Sequence, residues 1–168
     1  LRRNAVRRLT DDMYDDVNPR FLPGTDVLVF SSNRPSDSLD IDGTFENISN
    51  NFNLFLYDLD TTTQTVVRLT NTLSKDTHPK PVDSNTIFYL SDQKGIVNIY
   101  KYIISDNIFH QVSNFNSSIY DYDLISSTNG FSCILLNKGK FNIYYTPEFD
   151  KNQNIFTPQT FRQNIEQA

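Results

Sequence analysis

The 168-residue sequence has one cysteine and no tryptophan, and it lacks long apolar runs and any excess of basic residues. The single cysteine, Cys133, excludes an intrachain disulfide, and its apolar neighbours indicate a small buried side chain rather than a nucleophile. No apolar run approaches the ~18 residues of a membrane-spanning helix, so no transmembrane segment is predicted. The formal net charge of −5 lacks the basic excess typical of nucleic-acid-binding proteins, so no nucleic-acid partner is expected.

Residues that carry common enzyme chemistry are also scarce. The only histidines are His78 and His110, and there is no Gly-x-Ser-x-Gly nucleophile elbow. Asp residues are numerous, but nothing in the sequence places two of them at the separation that glycoside cleavage requires. We therefore expect no enzyme activity and no cofactor in this chain.

Aromatic residues, by contrast, are abundant. The chain has 13 Phe and 9 Tyr, and its hydrophobic fraction of 38% with a charged fraction of 21% is typical of a globular protein. Phe, Tyr, Ile, Val and Thr favour half-buried strands. The composition therefore favours a domain rich in β-structure.

One sequence unit occurs three times. It is an Asn-apolar-aromatic tripeptide at 53–55, 98–100 and 142–144, with spacings of 45 and 44 residues. A period of about 40–50 residues filled with short strands is typical of a β-propeller blade.

A second signature occurs twice, and its copies lie 60 residues apart because the first unit carries a loop insertion. In it a Leu-Thr pair is followed by Asp seven residues after the Leu and by Pro ten residues after it. The key residues of its two copies are Leu9, Asp16 and Pro19, and Leu69, Asp76 and Pro79. Asp can accept backbone N–H bonds in a tight loop between blades, and Pro needs no donor partner there, so Asp16, Pro19, Asp76 and Pro79 are predicted to be structural.

Together these elements resemble the TolB-type propeller repeat. That repeat runs from Leu-Thr and Asp-x-x-Pro through a Pro-Gly turn and an apolar strand ending in Ser-x-Arg to Asn-Ile-Tyr. The first unit matches almost throughout, with its Pro-Gly turn at 22–24 and its Ser-x-Arg element at 31–34, and the likeness covers about 6–146. The resemblance implies an all-β fold of radial, four-stranded antiparallel blades.

About three blades are expected, at about 6–69, 69–112 and 112–146, with a loop insertion at 36–52. Residues 147–168 are then a tail, a linker or the start of a further blade. Propellers usually close with about four to eight blades, so this chain is expected to be part of a larger propeller, in keeping with its start at Leu1 rather than Met. In the alternative, Val6 to Leu9 supplies the outer strand of the last unit and closes a miniature ring.

Within these units the apolar runs and turn residues predict short strands. Strands are expected at 6–10, 19–21, 27–32, 53–58, 64–69, 79–82, 86–91, 97–103, 108–112, 120–124, 131–136 and 141–145. A further strand is possible near 154–156 and a short helix at 160–168.

The resemblance implies a non-catalytic protein-interaction platform in a bacterial cell-envelope protein, periplasmic or associated with the outer membrane. Its expected partner is a protein, in particular an outer-membrane or peptidoglycan-associated one. In the alternative, the chain is an accessory propeller module of a peptidase or polysaccharide-active enzyme whose catalytic residues lie outside it.

The acidic loop at 11–16 and the insertion at 36–52 are the predicted contact surface, because functional residues concentrate in loops. The predicted partner-binding residues are Asp11, Asp12, Tyr14, Asp15, Arg34, Phe45 and His78. The alternatives are loop capping for the Asp residues, blade packing for the aromatic residues and a backbone-bonded loop histidine for His78.

The insertion also imitates the start of a calcium-binding EF-hand loop, with Asp40 and Asp42 as candidate ligands. However, Ser38 replaces the first Asp and Ser49 stands where the bidentate Glu belongs. No metal site is therefore predicted. The alternative to a calcium site is an insertion whose acidic side chains are simply solvated.

Overall fold

The computed structural model describes residues 5–37, 39, 48–61, 66–166 and 168, and every structural statement below concerns these residues. They form three antiparallel sheets that follow one another along the chain. The first sheet contains β1 (Asp16–Phe21), β2 (Val27–Ser32), β3 (Asn53–Asp58) and β4 (Val67–Arg68). The second contains β5 (Thr77–Pro81), β6 (Thr86–Ser91), β7 (Asn98–Ile103) and β8 (Ile108–Gln111). The third contains β9 (Ile119–Leu124), β10 (Phe131–Asn137) and β11 (Lys140–Thr146).

Each sheet is a meander in which consecutive strands pair. The first two sheets have four strands and the third has three, and β11 forms an edge of the third sheet. The prediction of an all-β fold built from antiparallel propeller blades is confirmed. The described strands do not close into a ring, which agrees with a partial propeller.

The second sheet is packed on both faces because its strands carry apolar residues at successive positions. Ile87 and Tyr89 point to one face and pack in a cluster with Val29 and Leu54 of the first sheet. The neighbouring residues of β6 point to the other face and pack with β9 and β10 of the third sheet. The three sheets therefore lie side by side like blades, with the second between its two neighbours.

Two of the expected strands are wrong. Residues 5–10 form no strand, and Val6 is 94% exposed. The three-blade ring that Val6 to Leu9 would close is therefore not formed. The expected strand at 154–156 is reduced to a single bridge, and Ile155 makes it with Gln111 of the second sheet rather than with the third.

Residues 147–168 run instead from the third sheet to the outer edge of the second. Phe149 stacks on Phe131 of β10 with ring centroids 4.4 Å apart, and the N–H of Ile155 donates to the carbonyl of Gln111 of β8 at 2.9 Å. Thr160 then reaches the loop after β6, and the chain ends in a short helix, α1 (Phe161–Glu166).

Gly95 makes the close approach of this tail possible. It has a φ of +90°, and a Cβ at this position would lie 2.1 Å from Oγ1 of Thr160. Any larger residue would therefore force the Thr160 side chain to shift and would be strained at this positive φ. In the part of the chain that the structure describes, no helix is long and apolar enough to cross a membrane.

Candidate functional site

The first strands of the three sheets lie next to one another: β1 contacts β5, and β5 contacts β9. The Asp-x-x-Pro signature shapes these strands. β1 and β5 each carry an irregularity in register two residues after the Asp, where Asn18 and His78 adopt φ values of 55° and 53°. Non-glycine residues with positive φ are uncommon, so their repetition at one position marks a specific feature of this repeat.

In the first blade the signature Asp is paired with a buried arginine. Nη2 of Arg34 lies 2.8 and 2.9 Å from the two carboxylate oxygens of Asp16. Nη1 of Arg34 lies 2.9 Å from Asp12, and Nε donates to the hydroxyl of Ser32 at 3.1 Å. The Arg34 side chain is fully buried, as is that of Asp12 at 1% exposure. One guanidinium therefore fixes both ends of the acidic loop at 11–16.

Aromatic rings enclose the same guanidinium. Its central carbon lies 5.8 Å from the ring centroids of Tyr14, Phe30 and Phe55. At this distance a cation is attracted to the ring faces. The predicted contact residues Asp12, Tyr14 and Arg34 are thus brought together, but in a structural cluster in which the Arg34 side chain does not reach the surface.

In the second blade no arginine among the described residues lies beside the signature Asp. Asp76 is fully buried and accepts hydrogen bonds from the hydroxyls of Ser91 at 2.6 Å and Thr72 at 2.9 Å. Gln93 holds the position that corresponds to Arg34, two residues beyond the paired serine. Burial raises the pKa of Asp76 from 3.8 to about 6, although the hydroxyls of Ser91, Thr70 and Thr72 act in the opposite direction.

In the third blade the charge is absent. Ile119 begins β9 at the position of Asp16 and Asp76, and it is buried in the cluster between the second and third sheets. Its partner in register is Leu135, where the second blade has Ser91. The polar pair has therefore been replaced by an apolar pair.

His78 connects the three inner strands through its backbone. Its N–H donates to the side-chain oxygen of Asn18 on β1 at 3.4 Å, and its carbonyl accepts from the hydroxyl of Tyr122 on β9 at 3.0 Å. Nδ1 of its ring lies 3.1 Å from the hydroxyl of Thr77. Burial lowers the pKa of His78, and Lys80 and Arg20 lower it further, whereas Asp121 raises it.

Two of the remaining predicted contact residues, Asp11 and Asp15, are exposed in the loop at 11–16. Asp11 forms an exposed ion pair with Arg8 at 2.6 Å. The backbone N–H of Asp15 donates to the side-chain oxygen of Asn33 at 2.9 Å, which holds the loop against the end of β2. Asp11, Asp15 and Tyr14 therefore share one loop, whereas His78 lies apart from them on β5.

Phe45, Asp40 and Asp42 lie outside the described residues. Within the described part of the chain, no group of three His, Cys, Asp or Glu side chains is arranged to hold a metal ion.

Sequence reasoning missed a second group of charges, on the inner strands. Nζ of Lys80 lies 3.3 Å from Asp123 and 5.3 Å from the ring centroid of Tyr122. Arg20 and Lys80 hold the same place in their blades, one residue after the signature Pro, and both line an open cavity of about 270 Å³ with Asp123. Alignment of the two Asp-x-x-Pro elements would have identified this repeated basic position.

The loop at 11–16 and this inner-strand group offer different chemistry. The loop presents two exposed carboxylates on a fixed backbone, whereas the inner strands present charges of both signs beside a cavity. Both arrangements suit the recognition of polar groups on a partner.

Comparison with solved structures identifies the fold of this chain. No protein-family model matches the sequence, and no curated protein matches it. The structure is similar to TolB from Acinetobacter baumannii, with a TM-score of 0.55 and 18% identity over 84% of this chain. It is also similar to a puromycin-hydrolyzing peptidase from Mycobacterium tuberculosis, with a TM-score of 0.58 and 14% identity over 82% of this chain.

The chain spans 32% of the length of that TolB and 21% of the length of that peptidase. At these identities the likeness shows the fold alone, which is that of TolB-like β-propeller blades.

Proposed function

We propose that this chain is a non-catalytic protein-interaction module of a bacterial cell-envelope protein, periplasmic or associated with the outer membrane. The observation that carries the proposal is the acidic loop at 11–16. Its backbone is fixed from inside by Arg34, which holds Asp12 and Asp16, while Asp11 and Asp15 stay exposed. A loop that is ordered before binding loses less conformational entropy when a partner docks.

The fold supports the same proposal. The similarity to TolB extends over 84% of the chain, and blades place their connecting loops at two ends, where partners can reach them. We propose blades at about 6–69, 69–112 and 112–146, with 147–168 as a tail that covers the second blade.

The exposed groups indicate the chemistry of the contact. Carboxylates of Asp11 and Asp15 attract lysine, arginine or backbone N–H groups, and Tyr14 adds aromatic area beside them. The partner is therefore a protein with a basic or N–H-rich patch, and an outer-membrane or peptidoglycan-associated protein is the proposed source.

In the first step of the test, Asp15 is replaced by a photo-reactive amino acid and this variant is cross-linked in envelope preparations. The partner protein that it captures is identified and then purified. Its affinity is measured for the natural chain, for Asp11→Asn with Asp15→Asn, and for a matched control. The control is Asp26→Asn with Asp60→Asn, two exposed Asp residues in turns at the opposite end. The loop variant is expected to bind at least about tenfold more weakly, since two charged contacts are lost. Equal affinities of all three proteins would overturn the proposal.

The insertion offers an independent test. Replacing 40–47 by a Gly-Ser linker retains Asp37, whose carbonyl accepts from Val66, and Leu39, which packs beside Phe30 and Phe55. The variant is expected to keep its unfolding midpoint and to bind the same partner more weakly. Unchanged binding would remove the insertion from the contact surface.

A second candidate is an accessory propeller module of a peptidase or polysaccharide-active enzyme. The similarity to the puromycin-hydrolyzing peptidase favours it over other enzyme classes. A hydrolase domain with a Gly-x-Ser-x-Gly elbow in the same polypeptide would support this candidate. Neighbouring envelope-binding domains would support the interaction module instead.

A further inference from the structure

A polar cavity of about 350 Å³ lies between the first two blades and the tail. Four separate segments of the chain line it, and Leu73 is the apolar residue among them. The polar lining residues are Asn50, Asn51, Ser74, Lys75, Asp92 and Gln163. Most small-ligand sites are lined mainly by apolar side chains, so this lining restricts the cavity to a polar ligand.

Hydrogen bonds hold three of the four walls together. The N–H of Phe52 donates to the carbonyl of Ser74 at 3.0 Å, and the N–H of Asp76 donates to the carbonyl of Phe52 at 2.8 Å. Phe52 and Lys75 thereby form a parallel bridge between the segment before β3 and the segment before β5. The N–H of Lys75 also donates to a carboxylate oxygen of Asp92 at 2.7 Å, which fixes the loop after β6 against them.

The tail supplies the fourth wall. The N–H of Thr160 donates to the carbonyl of Lys94 at 3.1 Å, and the hydroxyl of Thr160 accepts from the N–H of Gln163 at 3.2 Å. Thr160 thus caps the first turn of α1, and Gln163 lies against the cavity at 8% exposure. Because all four walls are fixed by contacts within the chain, a ligand loses less conformational entropy of the protein when it binds.

The polar side chains of this cavity are available to a ligand. Four of them form no hydrogen bond or ion pair with another described residue, and these are Asn50, Asn51, Lys75 and Gln163. A carboxamide both donates and accepts hydrogen bonds, whereas an ammonium group donates and a carboxylate such as that of Asp92 accepts. The lining therefore offers donors and acceptors side by side.

The balance of charge indicates a neutral ligand with hydroxyl groups. Lys75 and Asp92 carry opposite charges on neighbouring walls, so neither an anion nor a cation matches the whole lining. An apolar ligand would leave the carboxamides without partners, which is costly. A hydroxyl group donates and accepts at once and so matches every polar group present. The volume lies near the lower end of the range for small-ligand sites, roughly 300–1,000 Å³, and suits one sugar unit.

We propose that this cavity binds one sugar unit of a carbohydrate, whose hydroxyl groups bond to the carboxamides of Asn51 and Gln163 and to Lys75. The site does not depend on the proposed protein partner, because no residue of the loop at 11–16 lines the cavity. A single sugar unit makes few contacts, so the expected dissociation constant lies in the millimolar range.

Binding is tested by nuclear magnetic resonance on the full, isotope-labelled chain. Glucose, galactose, mannose and N-acetylglucosamine are titrated separately while the side-chain amide signals of Asn50, Asn51 and Gln163 are followed. At least one sugar is expected to shift these signals until they saturate. Sodium phosphate and glycylglycine, which are charged and lack hydroxyl-rich rings, should leave the signals in place. A shift with either of them and with none of the sugars, or no shift with any probe, would overturn the proposal.

Substitutions then show whether the sugar binds in this cavity. Asn51→Ala with Gln163→Ala removes two carboxamides and should weaken binding at least about fivefold. The matched control is Gln153→Ala with Asn154→Ala, which removes two exposed carboxamides of the tail outside the cavity and should keep the natural affinity. Gln163→Met keeps the length of the side chain without its polar atoms, and it replaces the double variant if circular dichroism shows that variant to be unfolded. Natural affinity of the folded cavity variant would place the sugar elsewhere and contradict the proposal.

Discussion

The second and third blades carry the same repeat in opposite surroundings. Ile99 and Ile143 hold the same place in the Asn-Ile-Tyr element, yet Ile99 is 0% exposed and Ile143 is 78% exposed. Likewise, Asn98 accepts hydrogen bonds from Ser113 and Phe115, whereas Asn142 is exposed. The motif therefore specifies a strand that is completed by its neighbours, and the third blade retains the motif without that completion among the described residues.

The signature Asp extends the comparison to all three blades. Asp16 is paired with Arg34, Asp76 is bonded to hydroxyls without a cation, and Ile119 removes the charge altogether. In all three blades a strand begins at this position or next to it, although the side-chain environment differs in each. The chemistry at one repeat position can thus change from blade to blade while the fold is retained.

The largest effect is expected when Arg34 of the first blade is replaced by glutamine, the residue that the second blade has at this position. Arg34→Gln leaves the buried carboxylates of Asp12 and Asp16 without their cation and should lower the free energy of unfolding by about 3–5 kcal/mol at neutral pH. Denaturant unfolding measures this loss. The control Arg68→Gln removes a half-buried arginine bonded to two carbonyls and should cost about 1 kcal/mol. Equal losses for the two variants would contradict the special role of Arg34.

The second largest difference in stability is expected between substitutions of the buried Ile99 and the exposed Ile143. Ile99→Ala creates a cavity between the second and third blades and should cost about 2–5 kcal/mol. Ile143→Ala should change the stability of the single chain by less than about 0.5 kcal/mol, because the side chain is exposed. Both are measured by denaturant unfolding at a concentration where light scattering reports single chains. Similar losses at the two positions would mean that Ile143 is covered within its own chain.

Asp76 should make the second blade sensitive to pH. Because burial raises the pKa of the folded group to about 6, the folded state holds the proton more tightly than the unfolded chain. Its contribution to stability therefore rises as pH falls through 6, by about 2 kcal/mol between roughly pH 7.5 and pH 4.5. Asp76→Asn should remove this part of the pH dependence, and the exposed control Asp26→Asn should retain it. Unfolding curves at several pH values decide the matter, and parallel profiles for all three proteins would contradict it.

The smallest expected difference separates the two asparagines. Asn98→Ala leaves the N–H of Phe115 and the hydroxyl of Ser113 without their acceptor and should cost about 1–2 kcal/mol. Asn142→Ala should lie within about 0.5 kcal/mol of the natural chain under single-chain conditions. Thermal unfolding of the two variants side by side measures the difference. A larger loss for Asn142→Ala would reverse the comparison.

The repeat made much of the fold predictable. Strands at Val27–Ser32, Asn53–Asp58 and Thr86–Ser91 lie where the apolar runs and turn residues predict them. Most other strands differ by one to three residues at an end, since strand ends depend on pairing as well as on composition. The short helix also lies within the segment expected for it.

The strand predictions that failed concern segments whose structure depends on tertiary contacts, and local sequence does not reveal those contacts. The segment 6–10 has the sequence of an outer strand, but a strand needs a neighbour with free backbone groups, and no described strand pairs with it. The tail took the edge of the second blade because Ile155 pairs with Gln111 there, after Phe149 has stacked on Phe131 of the third blade. Both outcomes were decided by tertiary packing rather than by propensity.

The candidate site was predictable only as a segment. The sequence located the acidic loop, but it did not reveal that Arg34 turns inward and takes Asp12 and Asp16 with it. The Ser-x-Arg and Asp-x-x-Pro elements lie 18 residues apart, and only the pairing of β1 with β2 brings them together. The roles in partner binding stay predictions for the whole set, which is Asp11, Asp12, Tyr14, Asp15, Arg34, Phe45 and His78.

The central claim, that the second blade lies between the first and the third, is tested most directly by nuclear Overhauser contacts between labelled methyl groups. The structure predicts contacts from Ile87 to Leu54 of the first blade and from Ile99 to Ile119 of the third. Contacts from Leu54 to Ile119, or the loss of either predicted set in the folded chain, would contradict it.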